Sequence, residues 1–116
     1  MKITVSMKEN HLFRRLYNKG KSAADGRLAI YVRRNGGKTN RLGFTVSTKL
    51  GHAVVRNRIR RRIREAYRLS ESSFICGYDL VIVARHRAAE GEFCDISGCL
   101  MTQMEKLGLV RKDIAE

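Results

Sequence analysis

The sequence predicts an α+β fold in which helices cover a sheet, and three patterns in its 116 residues carry that expectation. Arg27 to Arg33 and Arg41 to Ser47 each alternate apolar with other residues, the period of a half-buried strand. Tyr78 to Ala84 is a nearly continuous apolar run, the signature of a strand covered on both faces. Between these strands, Val55, Ile59, Ile63, Ala66 and Tyr67 recur at i, i+4, i+8, i+11 and i+12, one face of an amphipathic helix. One domain spanning residues 1–116 is the expected size for such a core, with no proline, repeat or low-complexity linker to divide it.

In chain order, Asn10 can cap a first helix in which Phe13, Leu16 and Tyr17 share a face, with Gly20 as its stop. Arg14, Arg15, Lys19 and Lys21 surround that face. Amphipathicity alone favours core packing for Phe13 and Tyr17. Two aromatics among cations also make a platform for single-stranded bases, worth about 1 to 3 kcal/mol per stacked base. In the first alternating strand Leu28, Ile30 and Val32 point one way and Ala29 and Tyr31 the other. Asn35-Gly36-Gly37-Lys38-Thr39-Asn40 is turn chemistry, so the second strand, with Leu42, Phe44 and Val46 as its apolar set, is expected to return antiparallel as a hairpin.

The basic helix follows, within Lys49 to Arg68, and a connection from Ser70 to Gly77 leads to the apolar strand. Strand, helix and strand make a crossover, which would be right-handed in about 98% of cases if the strands are parallel neighbours. Phe93, Ile96, Leu100, Met104 and Leu107 then repeat at helical spacing with Gly108 as the stop. Gly91 and Gly98 each weaken that helix by up to about 1 kcal/mol, so packing must hold it.

Charge carries the functional signal. The net charge is +13, and it is unevenly spread: residues 1–48 hold eleven bases and two acids, 49–68 eight and one, and 69–116 five and eight. That asymmetry describes a cationic surface with a neutral or acidic back, the footprint of a nucleic-acid binder. Opposite the apolar stripe of the basic helix project Asn57, Arg60, Arg61, Arg64 and Arg68, with Arg58 and Arg62 flanking. A helix built for solubility would interleave Glu with its bases at i+4. Here Glu65 is the one acid, and Arg56/Arg60, Arg60/Arg64, Arg64/Arg68 and Arg58/Arg62 are like charges at that spacing. Seven of the eight bases are arginine, whose planar fork suits bidentate phosphate contact.

Other classes fit less well. The apolar face lacks the Trp, Phe and Leu of a membrane-surface helix, no run approaches transmembrane length, and Met1 to Met7 has no signal-peptide core, so a cytosolic, membrane-free protein is expected. Cys76, Cys94 and Cys99 are odd in number without CxxC spacing and read as reduced, small apolar residues; His11, His52 and His86 are scattered and form no ligand pattern. Phosphodiester hydrolysis by the chain itself would need clustered carboxylates or a His pair, which the basic stretch lacks. Asp25 and Glu65 are the only acids between Lys19 and Ser70, and one carboxylate inside an arginine field is expected to form a local salt bridge rather than to hold a metal. No second helix precedes Arg56 closely enough for a helix-turn-helix, which weakens a DNA-binding reading. A ribosomal or RNA-chaperone protein using the helix structurally is the alternative from another class.

Gly51 to Glu65, Gly-His-Ala-Val-Val-Arg-Asn-Arg-Ile-Arg-Arg-Arg-Ile-Arg-Glu, closely resembles the RNR signature of the protein subunits of bacterial ribonuclease P, approximately Lys-x-x-Gly-x-Ala-Val-x-Arg-Asn-x-x-Lys-Arg-x-x-Arg-Glu. Lys49 stands slightly closer to Gly51 than in that outline, and Arg60 replaces the usual lysine with charge retained. The helix with Phe13 and Tyr17, then Gly20 and Ser22, Arg27 to Tyr31, Arg41 to Ser47, Gly77-Tyr78-Asp79 and Ala84-Arg85 follow in family order; residues 86–116 match only as a helix.

The resemblance implies an αβββαβα two-layer sandwich, a four-stranded sheet with helices and a left-handed βαβ crossover, against the right-handed expectation. Ribosomal proteins and translocation factors have a similar domain. It implies a non-catalytic subunit of an endoribonuclease, which binds a catalytic RNA and the 5′ leader of precursor tRNA while the RNA performs magnesium-dependent cleavage to give mature 5′ ends. Mg2+ belongs to that holoenzyme with no ligand assignable in this chain, and no small-molecule substrate is expected. By position, Arg56, Asn57, Arg60, Arg61 and Arg64, assisted by Lys49 and Arg58 and continued by Arg68, would meet RNA. Phe13, Tyr17 and Tyr31 would line the cleft for the leader, with Ser22 and Phe44 near its wall, a role that displaces core packing for the first two.

Overall fold

The apolar run from Tyr78 to Ala84 takes the middle of the sheet, where both of its faces are covered. The computed structural model describes residues 4–6, 20–90 and 92–111. Its strands are β1 (Thr4–Ser6), β2 (Lys21–Ala24), β3 (Leu28–Arg34), β4 (Asn40–Val46) and β5 (Tyr78–Ala84), in spatial order β1-β4-β5-β3-β2. β5 runs parallel to β4 on one side and antiparallel to β3 on the other, and Leu80, Val81 and Ile82 are fully buried. β2 to β5 are the four expected strands of the α+β sheet. The short β1, which no sequence pattern announces, adds in parallel to the outer edge of β4.

Two described helices, α1 (Ala53–Ser70) and α2 (Phe93–Lys106), lie on one face of this sheet. Register puts Ile30, Ile82 and Phe44 in one cross-strand row and Val32, Leu80 and Leu42 in the next, all on that face. Ile59, Ile63, Ala66 and Tyr67 of α1 and Ile96, Leu100 and Met104 of α2 close over the rows in one buried cluster. Each such aliphatic side chain contributes roughly 1.5 to 3 kcal/mol relative to exposure. The helix expected from Asn10 to Gly20, with Phe13 and Tyr17, falls on residues 7–19, outside the described residues.

The expected hairpin is corrected. β3 and β4 do run in opposite directions, but β5 lies between them, so they share no ladder. Residues 35–39 instead bridge the start of β5: the Asn35 amide donates to the Gly77 carbonyl at 2.9 Å, and Asn35 Nδ2 donates to Asp79 Oδ1 at 3.1 Å. The crossing is close enough that a Cβ on Gly77, at φ +96°, would stand 2.9 Å from the Gly37 carbonyl oxygen. β5 takes the gap because its side chains are apolar toward both faces, which an edge position would leave wet. Fully buried Asn40 seals the junction, donating from Nδ2 to Tyr67 Oη at 3.2 Å and the Ile75 carbonyl at 3.3 Å while Oδ1 accepts from the Tyr78 amide at 2.9 Å.

α2 ends as its sequence predicts. Gly108 adopts φ +75°, the Leu109 amide reaches the Met104 carbonyl and the Gly108 amide reaches that of Glu105, which together satisfy the last turn. Its start is fixed by a reciprocal cap between Glu92 and Asp95.

Candidate nucleic-acid interface

The path into α1 is set by a turn, not by a capping side chain. Ser47 Oγ accepts the Lys49 amide at 3.1 Å and opens a short 3-10 turn over Thr48–Leu50. Gly51 then takes φ +141°, where a Cβ would press on the Val55 side chain. The helix that follows has neither an acid in its first turn nor a side-chain cap at His52, so its N-terminus keeps the positive end of its dipole uncompensated.

With Ile59, Ile63, Ala66 and Tyr67 buried, helical geometry turns Asn57, Arg61, Arg64 and Arg68 to solvent, all four exposed, with half-buried Arg60 alongside. Asn57, Arg60, Arg61 and Arg64 line an open depression of about 430 Å³. Arg60 Nη1 donates to Asn57 Oδ1 at 3.1 Å, and the Arg64 guanidinium lies 6.0 Å from the centre of the Phe44 ring, at the outer reach of a cation–π contact. No carboxylate among the described residues pairs with Arg58, Arg60, Arg61 or Arg64. Arg68 differs: its Nε donates to Glu65 Oε2 at 3.0 Å and its Nη2 to Oε1, and this bonding holds the Glu65 carboxyl below its ordinary range. Glu65 is thus the local salt bridge its sequence context suggests. Arg58 and Lys49 are exposed beside the comb.

Arg56 stands apart from the comb. It lies seven and eleven residues before Ile63 and Tyr67, on the packed side of the helix, and it is half-buried with its Nε enclosed and without a hydrogen-bond partner.

The expected leader cleft is divided. Ser22 and Tyr31 are direct partners across β2 and β3, in a row that continues to Val81 and Gly43 on the sheet face away from α1 and α2. Phe44 does not share that face. Its row partner is Ile82, and its ring packs against the helical core beneath Arg64. Phe13 and Tyr17 lie outside the described residues. The three cysteines are free; Cys99 is buried, while Cys76 and Cys94 are exposed.

Among the described residues, no three His, Cys, Asp or Glu side chains come together to hold a metal ion, and no helix is long and apolar enough to cross a membrane.

The chain is similar to known proteins in sequence and in three dimensions. The pattern describing the family "Ribonuclease P" matches residues 1–108. The chain belongs to the ribonuclease P protein family. It is 36% identical over 114 residues to the ribonuclease P protein component of Alkaliphilus oremlandii, covering 98% of this chain and all of that one. It is 39% identical over 109 residues to that of Clostridium botulinum strain Langeland, covering 89% and 98%. The RNase P protein of Staphylococcus aureus superposes with a TM-score of 0.83 at 33% identity, over 91% of this chain and 97% of the other. That of Thermotoga maritima gives 0.77 at 26% identity, over 84% and 92%. In this ribonuclease P family member, the RNR stretch coincides with the first three turns of α1, so the signature and the comb are one object.

Proposed function

We propose that this chain is the protein component of a bacterial ribonuclease P: it binds the catalytic RNA and the 5′ leader of precursor tRNA in the cytosol, and the RNA cleaves. The observation that carries this reading is the set of Asn57, Arg58, Arg60, Arg61 and Arg64 facing solvent with no carboxylate of the described residues to neutralise them. Their side chains meet phosphates in bidentate pairs, and the like-charge repulsion along the helix falls when a polyanion arrives. Lys49 extends the same surface and Arg68 contributes once Glu65 yields it. Arg56 serves through whatever part of its half-buried guanidinium reaches the RNA.

For the leader, the face carrying Tyr31 and Ser22 supplies the bed, with Phe13 and Tyr17 as the stacking rings; Phe44 acts from the other face by supporting Arg64. The magnesium of the reaction belongs to the holoenzyme in this reading, with no ligand on this chain assigned to it.

Reconstitution tests the reading. The chain added to a bacterial ribonuclease P RNA at low magnesium stimulates release of the leader from precursor tRNA, while the RNA-free protein leaves that substrate intact. No stimulation overturns the reading in favour of a ribosomal or chaperone role. Replacing Arg60, Arg61 and Arg64 with alanine flattens the log-log salt dependence of RNA binding by roughly 0.7 to 0.9 per lost phosphate contact. Phe13→Ala with Tyr17→Ala weakens leader-bearing substrate and spares mature tRNA; equal loss for both returns these rings to the core.

A further inference from the structure

Three strand ends and one helix end meet at one rim of the sheet. There β2 begins, β3 ends, β5 begins and α2 terminates, and between them lies a pocket of about 200 Å³ lined by Lys21, Val32, Arg33, Arg34, Tyr78 and Leu107. Lys21 and Arg34 are cations on the sheet face of Val32 and Tyr78, and neither forms an ion pair with a described acid; Arg33 borders the pocket but stands in register with Asp79 on the other face. Asp79, the acid next to Tyr78, points to the opposite face, where Arg41 Nε and Nη2 hold its two oxygens at 2.6 Å each and Asn35 takes a third bond. The carbonyls of Met104 and Glu105 at the end of α2 are already satisfied by Leu109 and Gly108. The pocket therefore combines an uncompensated positive wall with an apolar floor made by Val32, Leu107 and the Tyr78 ring.

A free small anion has no use for the floor, and an apolar ligand has no use for two cations. One nucleotide uses both, with its base against Tyr78 and Leu107 and its phosphates against Lys21 and Arg34.

We infer that this pocket is a second RNA contact, which takes a single unpaired nucleotide of a strand already held elsewhere on the protein. It lies along β2 and β3, whereas α1 packs over β4 at the other side of the sheet, so one RNA, or two, must span the helical layer to reach both. Two weak contacts on one ligand multiply, which makes the pocket a means of raising affinity with no further contact at the comb. The inference rests on the proposed function only in taking the ligand to be RNA.

The test compares Lys21→Gln with Arg34→Gln, two exposed positions whose loss leaves the core intact, against Lys38→Gln with Lys106→Gln, which remove equal charge outside the pocket. Binding of a fluorescein-labelled single-stranded oligoribonucleotide is followed over a salt titration. The pocket pair lowers the log-log slope by roughly 1.4, at about 0.7 for each lost phosphate on a single strand, and the control pair by clearly less. Equal changes for the two pairs, or none for the pocket pair, overturn the inference.

In the reconstituted holoenzyme, 4-thiouridine placed in the leader or in the catalytic RNA cross-links to Tyr78 or Leu107, and the RNA that does so is the source of the nucleotide. Cross-linking from neither overturns the site. The comb variant decides the proposed function separately, because its slope change does not depend on the pocket.

Discussion

Cys99 shows how one residue ties two elements and makes stability depend on pH. Its thiol donates to Asp25 Oδ2 at 2.7 Å, and Gln103 one turn later donates to Cys99 Sγ at 3.2 Å and to the Leu28 carbonyl at 2.9 Å. Asp25 itself shapes the β2–β3 turn by accepting the Arg27 and Leu28 amides at 2.7 and 3.0 Å. Burial, followed by the bond to Asp25 and its charge, pushes the Cys99 thiol up to about 12. Burial works against ionisation of Asp25 too, but the Cys99 thiol, the two amides and Gln103 together outweigh it and hold its carboxyl below the ordinary value.

The signs are opposite for the two groups. The folded state keeps the Cys99 proton that an unfolded thiol releases near pH 8.5, so this stabilisation is complete below about pH 8.5 and is lost as pH rises toward 12. The Asp25 contribution is present above about pH 3.9 and is lost as pH falls through its lower folded value. Melting temperatures of wild type and Cys99→Ala measured from pH 7 to 10 test this: wild type loses stability above pH 8.5 more steeply than the variant, and parallel curves refute the linkage.

At the scale of elements, the crossing of residues 35–39 over the start of β5 is the feature most exposed to a single change. Gly77→Ala places a Cβ 2.9 Å from the Gly37 carbonyl at φ +96°, a conformation that costs about 1 to 3 kcal/mol for a non-glycine before any clash is counted. Asn40→Ala strips the Tyr78 amide and the Ile75 carbonyl of their partner and costs on the order of 2 to 3 kcal/mol. Urea unfolding measures both; losses under about 0.5 kcal/mol, the range of an ordinary surface substitution, contradict the role given to this junction.

The same junction marks where sequence reasoning stopped. Composition identified 35–40 as a turn but carries no information about which strand lies next door, and the apolar character of β5 toward both faces was the available sign that it would separate β3 from β4. β2 (Lys-Ser-Ala-Ala) and β1 are too short to show a period, so the former came only from the family resemblance. The comb, by contrast, was legible, because positions about half a turn from five apolar residues on one face point to solvent. Two site residues lie away from the positions expected of them, and their periods show why. Phe44 alternates with Leu42 and Val46, which assigns it to the core face, and Arg56 shares a meridian with Ile63 and Tyr67, which assigns it to the packed side.

For the molecule as a whole, the net charge of +13 gives salt two opposed effects. Screening weakens the grip on RNA, because each phosphate contact releases a counterion whose return salt favours. Screening also relieves the free protein, whose α1 carries four like-charge pairs at i and i+4 at roughly 0.2 to 0.5 kcal/mol each. Arg64/Arg68 is the mildest of the four, since Glu65 already offsets Arg68. The isolated protein therefore gains thermal stability between about 50 and 500 mM salt, an interval over which the Debye length falls from roughly 14 to 4 Å and charges one helical turn apart decouple. Arg60→Gln with Arg64→Gln removes three of the four pairs, raises the melting temperature at low salt and flattens its salt dependence, while the same pair of changes lowers RNA affinity. A variant that lost both stability and affinity would instead place these arginines in the architecture of the fold, with partners of their own, and would remove the reason for assigning them to RNA.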